Sequence, residues 1–203
     1  MELEQYAEYD AFIFDMDGTL IDSMGQHQKA WVYALNKFNI PFTAQQMLAM
    51  SGKPTEQTVE ILAEQANIQD LDVALISETK EQRYHQLVNQ EVQVTPLIKV
   101  FEHYLGEKLM AVGTGASQQQ AEMLLNKLGI AEQLQAIVGA DLVARHKPAP
   151  DTFLKCAELM QVAPQRCLVF EDAEAGIAAA QAAGMAYVDV RELWPANYFV
   201  EPL

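Results

Sequence analysis

A chain of 203 residues, half of them hydrophobic, can bury a sizeable core as one large domain or a domain with an insertion, without covalent staples. Its net charge of −15 argues against nucleic acid and anionic membranes as partners, because nothing would neutralise a phosphate backbone. No run of about 18 apolar residues suggests a spanning helix, and Cys156 and Cys167, lacking CxxC spacing, read as small core residues rather than a zinc or disulfide pair.

The first ten residues are acidic and carry no apolar signal region, so the expectation is a cytoplasmic protein. Ala11-Phe12-Ile13-Phe14 is a short apolar run that reads as a buried strand. It ends in Asp15-Met16-Asp17-Gly18-Thr19. Residues two apart in a strand point the same way, so Asp15 and Asp17 can both face the crevice at the carboxyl edge, where open α/β sheets bind ligands. Two acids there suit a nucleophile beside a proton-transfer group. Taken alone, the motif is equally a polar turn closing a strand.

From about Ser23 to Asn89 only helical patterns occur. Trp31, Leu35 and Phe38 share one face, and Val59, Leu62 and Ala66 share another. A crossover between parallel strands needs little more than about a dozen residues, so the excess predicts an inserted helical domain with hinges at Asp22-Ser23 and near Gln90 to Thr95.

The strand rhythm resumes at Leu109–Val112, followed by Gly113-Thr114-Gly115-Ala116-Ser117. A hydroxyl, small residues and a helix start can cradle a phosphate, although the same tripeptide is also an ordinary loop. Ser117 with Gln120 reads as a capping box. After a strand at Ala136–Val138 comes Lys147, whose ammonium could neutralise a nucleophile and phosphoryl oxygens together. As a lone lysine it could equally be a solvated surface group. Pro150 suits the first turn of a helix through Phe153, Leu154, Ala157 and Leu159. Cys167–Phe170 is a further strand, and Glu171-Asp172 at its end could meet Asp15 around a hard cation such as magnesium. The same two acids also suit the N-terminus of the alanine-rich helix Ala173–Ala183, which Gly184 stops before a last strand, Met185–Val190. Strands alternating with helices predict an α/β, Rossmann-like parallel sheet with helices on both faces, plus the inserted all-helical cap. The domains are then 1–22 with 93–203 as core and 23–92 as cap. Four carboxylates gathered at one edge would repel one another unless a cation and Lys147 offset them.

These motifs, in order and each at a strand end, resemble those of the haloacid dehalogenase-like superfamily. Phe12 to Thr19 looks like its first motif, Thr114 its second, and Lys147 in His146-Lys147-Pro148-Ala149-Pro150-Asp151 its third. Phe170-Glu171-Asp172-Ala173 with Gly176-Ile177 looks like the fourth. Within that superfamily the chain is similar to the β-phosphoglucomutase-like branch, which also holds sugar phosphatases such as fructose-1-phosphate phosphatase. The resemblance implies an aspartyl-phosphate intermediate on Asp15, with Asp17 as acid and base, and Thr114, Gly115 and Lys147 around the phosphoryl group. It implies Mg2+ on the Asp15 side chain, the Asp17 backbone carbonyl and Asp172, with Glu171 near or in the shell.

In the cap, His27 stands where the mutases place a histidine linked to closure, Gly52 and Lys53 resemble the specificity loop, and Lys80 matches a lysine reaching the site. Thr55 stands where the mutase has an arginine clamping a remote phosphate. Threonine makes no bidentate clamp, so the expectation leans to a monomeric sugar-phosphate phosphatase acting on a small phosphorylated metabolite. A β-phosphoglucomutase is the runner-up. A phospho-accepting signalling module, or a catalytically dead binder, is the alternative of another class.

Overall fold

The computed structural model describes residues 3–50, 53–88, 90 and 92–193. In chain order, β1 (Ala11–Phe14) and the two-residue β2 (Ile21–Asp22) precede four helices, α1 (Met24–Lys37), α2 (Ala44–Ala49), α3 (Thr55–Gln65) and α4 (Val73–Val88). Then come β3 (Gln93–Val94), α5 (Ile98–Tyr104), β4 (Leu109–Gly113), α6 (Gln118–Lys127), β5 (Ala136–Val138) and α7 (Asp151–Met160). After these come β6 (Cys167–Glu171), α8 (Glu174–Ala182) and β7 (Ala186–Asp189). Two compact units result: one from the chain up to Asp22 and again from Gln93, the other from Ser23–Val92.

The first unit is an α/β fold built on a five-stranded sheet, ordered β5-β4-β1-β6-β7 and parallel throughout. Its central strands β1 and β6 are buried on both faces, as is β4 beyond Leu109, which is why they read as continuous apolar runs rather than alternating ones. On one face Ala11, Ile13, Ala111 and Val169 pack with Phe153, Cys156 and Ala157 of α7 and with Ala179 and Ala180 of α8. On the other, Phe12, Phe14 and Phe170 form an aromatic layer with Tyr6, Phe101 and Tyr104, mostly edge to face at 5.0–6.5 Å between ring centres. Burial of three phenylalanine rings contributes several kcal/mol, at about 1.5–3 kcal/mol each.

Local chemistry explains the ends of these elements. Ser117 accepts the Gln120 amide at 3.3 Å and starts α6. Gly184, with φ +69°, turns the chain out of α8 into β7. Pro150 is the residue just before α7 rather than inside it. Phe153 and Ala157 are buried on that helix, whereas Leu154 and Leu159 are 38% and 47% exposed. Both cysteines are buried free thiols, pushed up by burial to about 12 for Cys156 and about 11 for Cys167, so neither is a reactive thiolate.

The second unit is all-helical among its described residues. Leu35, Ile40, Val59, Leu62 and Ile76 form its core, with Trp31, Phe38 and Phe42 packed against them. Asn39 and Asn67 hold φ of 55° and 53° just past α1 and α3. Asparagine tolerates that left-handed conformation better than other side chains and closes both helices.

Candidate active site

The fold brings four side chains, from three separate stretches of the chain, to the carboxyl edge of β1. Phe14 is level with Val112 on one side and Phe170 on the other. The Asp15 amide donates to the Phe170 carbonyl at 2.9 Å, so the strand geometry carries on to Asp15 itself. Beyond it the chain doubles back: the amides of Leu20 and Ile21 both reach the Met16 carbonyl, and Gly18, at φ 84°, donates to the Ile21 carbonyl. A side chain at Gly18 would strain that turn.

Lys147 Nζ lies 2.6 Å from Asp15 Oδ1 and 2.7 Å from Glu171 Oε2, with only 9% of its side chain exposed. The same Nζ sits 4.6 Å from the centre of the Phe153 ring, a cation–π contact. The other oxygen of Glu171 accepts the amides of Asp172 and Ala173 at 3.2 and 3.0 Å. Asp172 Oδ1 takes the Thr19 hydroxyl at 3.1 Å. Asp15, Glu171 and Asp172 each offer an oxygen within 4.8 Å of the others. Hard oxygen donors of this kind suit magnesium or calcium rather than a soft metal.

One ammonium faces three carboxylates, so the cluster keeps excess negative charge. Burial, then Glu171, pushes the Asp15 carboxyl well above the usual carboxylate range against the pull of Lys147. Burial and Glu171 likewise push Asp172 up to about 7, partly opposed by the Thr19 hydroxyl. Burial works against the charge of Lys147, but Asp15 and Glu171 outweigh it and hold the ammonium well above its ordinary value. A bound cation would relieve the carboxylates in the same way.

Thr114 follows β4, the strand beside β1, and is 2% exposed. Its amide donates to the Val138 carbonyl at 3.0 Å and its hydroxyl oxygen accepts the Ala116 amide at 3.1 Å, leaving the hydroxyl proton for an anion. A Cβ built on Gly115 meets nothing within 4 Å, so open space lies beside Thr114. Asp17 is half-buried and bridged to Ile21 in the turn after Asp15.

Gly176, in the first turn of α8, is the packing partner of this site: a Cβ there would lie 1.9 Å from Glu171 Oε2. Gly176→Ala is therefore expected to push Glu171 off Lys147 and to cost about 1–3 kcal/mol, as overpacking does. Thermal unfolding checks it; a melting temperature equal to that of the parent would show that α8 yields freely.

The helical unit holds a second polar cluster. Lys80 on α4 is 3% exposed. Its Nζ lies 3.1 Å from His27 Nδ1 and 2.9 Å from Glu81 Oε1, and 5.3 Å from the centres of both the Trp31 and Tyr84 rings. Facing an ammonium, Nδ1 must be the acceptor, which places the imidazole proton on Nε2. His27 stacks on Tyr84 at 3.8 Å. The Thr55 hydroxyl donates to the same Glu81 oxygen at 2.5 Å. Burial raises Glu81, but Lys80 and Thr55 outweigh it and hold the carboxyl below its usual range. Lys80 is thus enclosed rather than solvated, Lys53 is exposed, and Gly52 lies outside the described residues.

Sequence reasoning missed Thr19 as the partner of Asp172 and Glu81 as the partner of Lys80. Thr19 could have been found from its place in the first motif. Glu81 gave no signal, since an acid on a polar helix looks like any solvated residue.

Residues 12–190 match the haloacid dehalogenase-like hydrolase family. The chain is 44% identical to fructose-1-phosphate phosphatase YqaB of Escherichia coli, covering 93% of this chain and 100% of that protein. It is 29% identical to the β-phosphoglucomutase of Bacillus subtilis, over 91% of this chain and 84% of the other. A hydrolase structure from Pseudomonas syringae superposes with a TM-score of 0.77 at 28% identity, over 88% of this chain and 83% of that one. The chain belongs to the haloacid dehalogenase-like hydrolase family.

Proposed function

We propose that this haloacid dehalogenase-like hydrolase is a magnesium-dependent sugar-phosphate phosphatase working through an aspartyl-phosphate on Asp15. The supporting observation is the buried ammonium of Lys147, which joins Asp15 to Glu171 beside Asp172. The family match and the 44% identity to a fructose-1-phosphate phosphatase support the hydrolytic reading and the sugar-phosphate class.

Asp15 is the nucleophile: its carboxylate oxygen bonds to phosphorus as the ester oxygen leaves. Asp17 gives that oxygen a proton, then takes one from the water that cleaves the aspartyl-phosphate. Lys147 and the Thr114 hydroxyl, with the backbone at Gly115, hold the phosphoryl oxygens and stabilise the charge that develops on them. Both oxygens of Glu171 are engaged, by Lys147 and by two amides, so its part is to anchor the lysine. The Asp15 side chain, the Asp17 carbonyl and Asp172 would hold Mg2+, which supplies charge neutralisation for the phosphoryl group and the nucleophile. The helical unit acts as a cap that governs substrate choice through His27, Gly52, Lys53, Thr55 and Lys80. The Thr55 hydroxyl is committed to Glu81, and Glu81 neutralises Lys80. That arrangement suits a sugar hydroxyl better than a second phosphate and favours hydrolysis over mutase chemistry.

Incubation with magnesium and a panel of sugar phosphates tests this reading. Free phosphate is the expected product, fastest from a ketose or aldose monophosphate. Formation of glucose 6-phosphate from the 1-phosphate without free phosphate would establish the mutase instead.

Metal binding should depend on pH in a defined direction. Asp172, pushed up to about 7 in the folded metal-free protein, contributes stability that is present below its ordinary carboxylate value and is lost as pH rises through about 7. Metal-free protein is expected to melt at lower temperature at pH 8 than at pH 5.5, with magnesium closing the gap, and magnesium affinity to fall as pH drops below about 7. Parallel melting curves in chelator and in magnesium across that range check both; curves that never diverge would remove Asp172 from the metal site.

A further inference from the structure

We propose that Asp141 is a positioning residue for phosphoryl binding: it clasps the Thr114–Ser117 loop to the loop that follows β5, an inference that rests on Thr114 holding the phosphoryl group. Asp141 Oδ1 accepts the amide of Gln118, the first residue of α6, at 2.6 Å. Gln118 answers from the other side, its Oε1 accepting the Gly139 amide at 2.8 Å. Between them the Ala140 amide donates to the Ala116 carbonyl, also at 2.8 Å. Three hydrogen bonds thus tie the two loops, in addition to the bond from the Thr114 amide to Val138.

Gly139 shows how close the loops must be. Its φ is −81°, which any residue adopts, so backbone conformation does not call for glycine here. Proximity does: a Cβ would lie 2.3 Å from the Gln118 nitrogen and 2.6 Å from its Cα. Those are backbone atoms at a helix start and cannot swing aside as a flexible side chain would.

The clasp reaches the phosphoryl site through Ala116. The Ala116 carbonyl is held by Ala140, and its amide donates to Thr114 Oγ1 at 3.1 Å. That second bond sets which lone pair of the hydroxyl is used and so where its proton points. Releasing Asp141 frees the start of α6, lets the Ala116 peptide turn, and redirects the Thr114 hydroxyl. A carboxylate at a helix N-terminus would by itself influence only stability; the connection to Thr114 predicts an effect on phosphate binding.

The test uses the full chain with the best substrate of the panel and inorganic phosphate as a competitive inhibitor. Asp141→Ala is expected to raise both KM and the phosphate inhibition constant about tenfold, the loss of roughly one charge-assisted hydrogen bond. Magnesium half-saturation should stay within about twofold, because its proposed ligands lie on the turn after β1 and on the segment after β6. Asp141→Asn should restore both constants, since an amide oxygen still accepts from Gln118. Gly139→Ala, which forces the loops apart with Asp141 intact, should give the same split more strongly. Parent-like constants in Asp141→Ala, a parallel loss of magnesium affinity, or failure of Asn to rescue overturns the clasp. A parent that turns over no phosphoester and binds no phosphate removes the role of Thr114 and the clasp with it. An active parent with an unaffected Asp141→Ala removes the clasp alone.

Discussion

Asp15→Asn is expected to lose turnover by roughly 10⁴-fold or more, the scale on which removal of a nucleophile acts, while the protein stays folded. The amide oxygen of asparagine can still accept from Lys147, so the 2.6 Å bond to Asp15 has a replacement. What disappears is the oxyanion that would bond to phosphorus. Stability should not suffer. Asp15 is one of three clustered carboxylates, and burial and Glu171 already raise its pKa, so removing its charge relieves repulsion in the metal-free state. The melting temperature in chelator is expected to equal or exceed that of the parent. Near-normal turnover in this variant would show that another group attacks phosphorus.

Lys147→Met is expected to lose activity and stability together. It keeps a flexible apolar stem but removes the ammonium that lies over Phe153 and is shared by Asp15 and Glu171. Breaking a buried ion pair by deleting one partner costs about 3–5 kcal/mol, because the remaining charge is uncompensated. Without the cation the Asp15 carboxyl, already raised, rises further, so the deficit should be largest above neutral pH and shrink as Asp15 takes up a proton in acid. Magnesium should recover part of the stability but not the activity, since the phosphoryl oxygens have lost a donor. Urea unfolding at pH 5 and pH 8, with and without magnesium, separates these effects. Equal stability losses at the two pH values would mean that packing, not charge, is the contribution of Lys147.

Much of the core was legible before any coordinates. The runs 11–14 and 136–138 are strands at those bounds, and β4 and β6 extend one residue past the expected ends. These strands are largely buried, so three or four apolar residues in a row suffice as a signal. The capping serine at 117 and the stopping glycine at 184 act through backbone geometry within a few residues, which a local pattern records. The two-residue strands β2 and β3 were not legible, because two residues carry no period. Nor was the short α5, whose Ile98–Tyr104 run follows a proline and barely completes two turns.

The site divides along the same line. Asp15, Asp17, Thr114, Lys147, Glu171 and Asp172 each announce themselves as a polar residue directly after an apolar strand or in the loop beyond it, and strand ends gather at one edge of a parallel sheet. Which atom meets which was not readable. That Lys147 spans Asp15 and Glu171, that Thr19 serves Asp172 across 153 positions, and that Glu81 rather than solvent receives Lys80 depend on side chains brought together from separate elements. By itself the sequence determined the strands, their polar termini and the chemical types available there, since these follow from hydrophobic periodicity and local backbone preference. Only the tertiary structure decided the pairings, the exclusion of a side chain at Gly139 and Gly176, and the excess negative charge of the cluster. Those depend on interatomic distances and burial that arise once the elements have packed.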